Sequence, residues 1–100
     1  MYEIAQIVDF LKPLKTHIVD PAASIHSLVY DSRKIHASNK GLFFALQGQQ
    51  DGHNYIAEAY EKDVRNFILT DLAFEIEKFP DANFIWVSQS LDALQHIALM

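Results

Sequence analysis

The chain is predicted to be an α/β domain, a single small unit with a mainly parallel sheet and flanking helices, on three observations. Short apolar runs alternate along it with segments whose apolar residues recur at helical spacing. One run, Leu42-Phe43-Phe44-Ala45-Leu46 between Gly41 and Gly48, is continuously apolar, as a strand buried on both faces requires. The 100 residues are 50% hydrophobic and 21% charged, with three glycines and three prolines, a composition that supports one packed core.

Taken in order, Ile4, Ile7, Val8 and Leu11 share a helical face that Pro13 closes, which predicts a helix over residues 3–11. After a polar stretch around Pro21, Ser27-Leu28-Val29-Tyr30 reads as a strand ended by the turn-prone Asp31-Ser32, with a loop over residues 31–40. The Leu42 to Leu46 run is the best candidate for a central strand. Ile56, Ala57, Ala59 and Tyr60 give a second helix, and Asn66-Phe67-Ile68-Leu69 a further strand. Phe84-Ile85-Trp86-Val87 is another, following a turn at Pro80-Asp81. Ser90 is expected to cap a last helix carrying Leu91, Leu94, Ile97 and Ala98, with Asp92 in its first turn. Nothing in the sequence stops that helix before Met100, so residues 1–100 are expected to be one domain truncated inside its last helix. Strand order is left open.

Composition narrows the function. The net charge is −5 and the basic residues are scattered, Arg33-Lys34 being the densest pair, so no footprint for a phosphodiester backbone exists and nucleic acid is not an expected partner. The absence of cysteine removes disulfides, thiolate metal sites and a cysteine nucleophile together. No window approaches the ~18 apolar residues of a membrane span, and the start carries no signal-like pattern, so a cytoplasmic protein is expected. None of Gly41, Gly48 and Gly52 precedes Lys-Ser or Lys-Thr, so no ATP-binding P-loop is encoded, nor is a dinucleotide turn or a serine nucleophile elbow.

Three groups of residues remain. Asp51 and His53, flanking Gly52, could form an acid/base or metal couple; an Asp-Gly turn near a helix start is the preferred reading, and no catalytic residue or metal ligand is assigned. Asp31-Ser32-Arg33 stands at a strand's carboxyl end, where open α/β sheets bind ligands, and could hold an anion; an Asx-type turn with a solvated arginine is the plainer alternative. Phe43, Phe44 and Trp86 could stack on a base, but aromatics inside apolar strands belong to cores.

In sequence, Asp31-Ser32-Arg33, Gly41-Leu42-Phe43-Phe44-Ala45-Leu46, Gly48 and Asp51-Gly52-His53 leading into a helix resemble the amino-terminal domain of the Mur ligases. The likeness continues more loosely from Val64 to Leu69 and from Phe84 to Val87. It departs from the family pattern in a two-residue spacer between Gly48 and Asp51, in Asn39-Lys40-Gly41 where a Pro-Gly turn is usual, and in Asp63 where glycine is general. Within the family, the Val64 to Phe67 and Phe79 to Phe84 segments look most like the member that adds D-alanyl-D-alanine to UDP-N-acetylmuramoyl tripeptide, in a form fused to alanine racemase. The diaminopimelate- or lysine-adding member is the alternative.

The resemblance implies that this domain holds the UDP end of a UDP-N-acetylmuramoyl-peptide. Tyr30, Ser32 and Arg33 would lie on one side of the uridine diphosphate, and Gln49 and Gln50 on the other. Uracil's edge suits amide side chains and its face suits Tyr30, while Arg33 could fork onto the pyrophosphate. ATP and Mg2+ would bind the parent's other domains, which are this domain's partners, and pyridoxal phosphate would be needed if a racemase is fused. A free-standing protein-interaction module, or a small enzyme using Asp51 and His53, are the readings from other classes.

Overall fold

The computed structural model describes residues 2–29, 41–45 and 55–99. A five-stranded sheet is sandwiched between helices. Its strands are β2 (Lys15–His17), β4 (Ser27–Val29), β5 (Gly41–Phe44), β6 (Asn66–Leu69) and β7 (Asn83–Trp86), in the order β2-β7-β6-β5-β4. The pairs β4·β5, β5·β6 and β6·β7 are parallel, and β2 runs antiparallel to β7. A separate two-stranded ribbon joins β1 (Tyr2–Glu3) to β3 (Ser24–Ile25). The helices are α1 (Ile4–Leu11), α2 (Ile56–Glu61) and α3 (Ser90–Ala98).

The expected α/β class and mainly parallel sheet are therefore observed. The Leu42 run is an interior strand, but β6 occupies the middle of the sheet. All four residues of β5, of β6 and of β7 are buried. Continuous apolarity reports that both faces are covered, and says nothing about which covered strand is central.

Alternation along the strands divides the core in two. Phe43, Ala45, Phe67, Leu69, Phe84 and Trp86 face α2, through Ile56 and Ala59, and the loop residues Val64, Phe79 and Ala82. Leu42, Phe44, Ile68, Ile85 and Val87 face α1 and α3, through Ile4, Ile7, Ala93 and Ile97. Phe43, Phe44 and Trp86 are core residues, as their place in apolar strands predicts.

α1 begins at a capping box. The Glu3 backbone N–H donates to Gln6 Oε1 at 2.8 Å, and the Glu3 side chain accepts from the backbone N–H of Gln6. It ends at Lys12, whose φ of 49° is left-handed, with the Lys12 N–H donating to the Val8 carbonyl at 3.0 Å. Pro13 disfavours a right-handed helical Lys12 and so enforces the stop. β2 escapes the sequence pattern because Lys15, Thr16 and His17 are all exposed; it is a strand only through its ladder with β7. At α3 the cap is Gln89, one residue before Ser90, a displacement of the size by which helix ends commonly vary.

The end of α2 explains Asp63. The Val64 N–H donates to Ala59 O at 3.1 Å and the Asp63 N–H to Tyr60 O at 3.0 Å, which is the Schellman arrangement, with Val64 buried against Ala59. Its geometry demands a left-handed residue, and Asp63 supplies it at φ 73°. A side chain at that φ is strained, although aspartate tolerates it better than most. Asp63→Gly is expected to stabilise the chain by about 0.5 kcal/mol, relief of strain outweighing glycine's extra unfolded-state freedom. The check is the urea midpoint at unchanged slope; a lower midpoint would refute the strain.

Candidate functional site

The carboxyl edge of the parallel strands is where an open α/β sheet binds ligands, because loops leaving it are free to vary while the strands hold their starting points. Here β4 and β5 are neighbours in parallel register, with Ser27 opposite Gly41 and Val29 opposite Phe43. β4 leads into residue 30 and β5, through Ala45, into residue 46. The Ala45 N–H donates to Ile68 O at 2.9 Å, carrying the ladder to the very edge.

Tyr30, Ser32, Arg33, Gln49 and Gln50, the residues assigned to UDP by resemblance, lie outside the described residues, as do Asp51 and His53. What is described is the pair of strands that precede them in the chain. The strands that precede the two groups end side by side on one edge.

The far half of the same edge is fastened around Trp86. Its indole Nε1–H donates to the Asp71 carbonyl at 2.9 Å, its backbone carbonyl accepts the Leu14 N–H at 2.8 Å, and the Lys15 ammonium lies 4.8 Å from the ring centroid. With the ring 1% exposed, Trp86 offers no stacking face to a ligand; it ties the segment after β6 and the start of β2 to β7.

The opposite, amino edge holds two groups of polar residues that sequence reasoning passed over. Asn66 and Asn83 open β6 and β7, stand opposite each other in register, and are both buried. Asn83 Oδ1 accepts the Val19 and Asp20 N–H groups at 2.8 and 2.9 Å. Its Nδ2 donates to Asp20 O and to Asn66 Oδ1, both at 2.9 Å. The signal was in the matched openings Asn66-Phe67-Ile68 and Asn83-Phe84-Ile85, where the same polar residue precedes two buried strands.

Beside them Tyr60, Arg65 and Asp81 form a surface cluster. The Tyr60 hydroxyl donates to Asp81 Oδ1, and Arg65 Nε to Asp81 Oδ2 at 3.0 Å. Arg65 Nη1 donates to the carbonyls of Tyr60 and Val64 at 2.9 and 3.0 Å, and the guanidinium stacks 3.9 Å from the Tyr60 ring centroid. The hydrogen bond from Tyr60, assisted by Arg65 and opposed by desolvation, holds the Asp81 carboxyl below its ordinary range. The same bond to Asp81 raises the Tyr60 hydroxyl above its own. These contacts occupy both Asp81 oxygens and the Nε and Nη1 of Arg65, so the cluster anchors α2, β6 and the turn before β7 to one another.

Among the described residues no three His, Asp or Glu side chains gather as a metal site, and no helix is long and apolar enough to cross a membrane.

No protein-family model matches the chain. It is 37% identical over 93 residues, 89% of its length, to the UDP-N-acetylmuramoyl-L-alanyl-D-glutamate–2,6-diaminopimelate ligase of Clostridium tetani. It is 40% identical over 58 residues, 58% of its length, to the UDP-N-acetylmuramoyl-tripeptide–D-alanyl-D-alanine ligase of Rickettsia prowazekii. The chain spans 19% of the first relative and 12% of the second. A solved UDP-N-acetylmuramoylalanyl-D-glutamyl-2,6-diaminopimelate–D-alanyl-D-alanyl ligase from Acinetobacter baumannii shares the fold, with a TM-score of 0.74 at 21% identity, over 95% of this chain and 20% of that one. A second crystal structure of MurF from the same organism gives 0.75 at 20% identity, over 96% and 20%. Sequence identity to two such ligases, joined to the fold of solved ones, places the chain in the Mur ligase family.

Proposed function

We propose that this chain is the precursor-holding domain of an ATP-dependent amide ligase of peptidoglycan synthesis, and that it binds the UDP portion of a UDP-N-acetylmuramoyl-peptide. The observation that carries the reading is the parallel pairing of β4 with β5. It starts the segment bearing Tyr30, Ser32 and Arg33 and the segment bearing Gln49 and Gln50 from adjacent strands on the ligand-binding edge of the sheet. A nucleoside diphosphate suits residues of this kind: amides for the uracil edge, an aromatic for its face, a hydroxyl and a guanidinium for the diphosphate.

The chemistry of amide formation belongs to other parts of a longer parent, working in the cytoplasm. Those parts would supply ATP with Mg2+ and, if a racemase is attached, pyridoxal phosphate; the 100 residues contain no P-loop. The D-alanyl-D-alanine-adding step is the leading reading. The diaminopimelate-adding step is the second, favoured by the longer alignment, 93 residues against 58. Assaying the parent protein with each amine separates them by which one releases phosphate.

The binding claim is tested by amide-shift NMR titration with UDP and with a UDP-N-acetylmuramoyl peptide. Shifts are expected at residues 30–33 and 49–52 and at the strand ends Val29 and Ala45. Ser32→Ala should weaken binding by about tenfold, the loss of one hydrogen bond to a charged group. Absence of shifts with the parent protein as well as with this chain would overturn the assignment.

A further inference from the structure

At the amino edge, away from the UDP-binding edge, lies a cavity of about 320 Å³ lined by Asp20, Ala22, Ala23, Ser24, Arg65, Asn66, Asp81 and Asn83. We propose that it binds a small zwitterion, a molecule carrying one carboxylate and one ammonium group such as a free amino acid, with Arg65 taking the carboxylate and Asp20 the ammonium.

Both charged groups are held before any ligand arrives. Arg65 is fixed by Asp81, by two backbone carbonyls and by the Tyr60 ring, contacts that use Nε, Nη1 and the guanidinium face. Among the described residues these leave Nη2 as the donor Arg65 has to offer, and a planar guanidinium so fixed loses little freedom on binding a carboxylate. Asp20 is fixed through its backbone, whose N–H and carbonyl both bond the buried Asn83 amide. Its carboxylate accepts the Ala22 N–H through Oδ1 at 3.1 Å, leaving Oδ2 open to a cation.

Charge selects the ligand class. Asp81 spends its two oxygens on Tyr60 and Arg65, so it does not compete for the ligand. The lining still carries two carboxylates against one guanidinium, which disfavours a bare anion. A bare cation would satisfy Asp20 and leave Nη2 of Arg65 unused. A zwitterion uses both at once. The volume stands at the small end of ligand pockets, which suits a molecule of amino-acid size.

The test is an NMR titration of the full chain with glycine, with glycine methyl ester, which lacks the carboxylate, and with N-acetylglycine, which lacks the ammonium. Glycine is expected to shift the amides of residues 20–24, 65–66 and 81–83, with a dissociation constant of about 1 mM, and each blocked form to bind about tenfold more weakly. Asp20→Asn keeps an oxygen for the Ala22 N–H while removing the charge. It should weaken glycine about tenfold and leave N-acetylglycine unchanged. No localised shifts at about 20 mM glycine, or blocked forms binding as well as glycine, would overturn the proposal.

Discussion

Phe67→Ala is expected to destabilise the chain by about 3 to 5 kcal/mol, the largest effect of any single side-chain truncation considered. Phe67 is fully buried on the middle strand. Its ring stacks on Phe84 with centroids 5.3 Å apart and meets Phe43 edge-on at 6.1 Å, so it bridges the aromatic residues of β5 and β7. Neighbouring strands flank it on both sides and α2 covers its face, leaving little room for the cavity to collapse. Against the 5 to 15 kcal/mol typical of a whole domain, roughly a fifth of the stability or more would go. Urea unfolding measures it, with Leu72→Ala as the exposed control, expected within about 0.5 kcal/mol of the parent. A comparable loss in both variants would show that the sheet face is not the stabilising core.

Asn83→Ala is expected to cost about 3 kcal/mol by a different route. The volume lost is small, but four hydrogen bonds go together. The buried Asn66 Oδ1 loses the Asn83 amide as donor, and the amides of Val19 and Asp20 lose their acceptor. Asn83→Asp should fare no better, since a carboxylate can accept from Val19 and Asp20 but sets negative charge against Asn66 Oδ1 and the Asp20 carbonyl. Hydrogen exchange distinguishes this from a general loss of stability: the Val19 and Asp20 amides should lose protection well before those of β6. Retained protection at Val19 and Asp20 would mean that Asn83 does not hold the segment after β2.

The two cases differ in how far they can be read from the sequence. Phe67 is legible because the consecutive apolar residues Phe67-Ile68-Leu69 announce their own burial. Asn83 is legible only in part: a polar residue opening an apolar strand hints at burial with partners, but those partners, Val19 and Asp20, stand more than sixty positions away and no local pattern names them. Arg65, Tyr60 and Asp81 are a similar case, three ordinary surface residues whose convergence depends on where α2 ends and where the turn before β7 returns. Of the residues assigned to UDP by resemblance, the sequence supplied the motif, and the described residues supply the two adjacent strands that precede them.

The sequence by itself determined the α/β class, the helical and strand character of the apolar segments, the stop at Pro13 and the likeness to Mur ligases, because each rests on periodicity, backbone stereochemistry or motif order within a short stretch. Only the tertiary structure decided that β6 is central, that Lys15–His17 is a strand, that a ribbon joins the start of the chain to Ser24–Ile25, and that the Asn66–Asn83 pair and its cavity exist at all. Strand order and polar networks are settled by hydrogen bonds between residues far apart in the chain, and that pairing energy appears only when the sheet has closed.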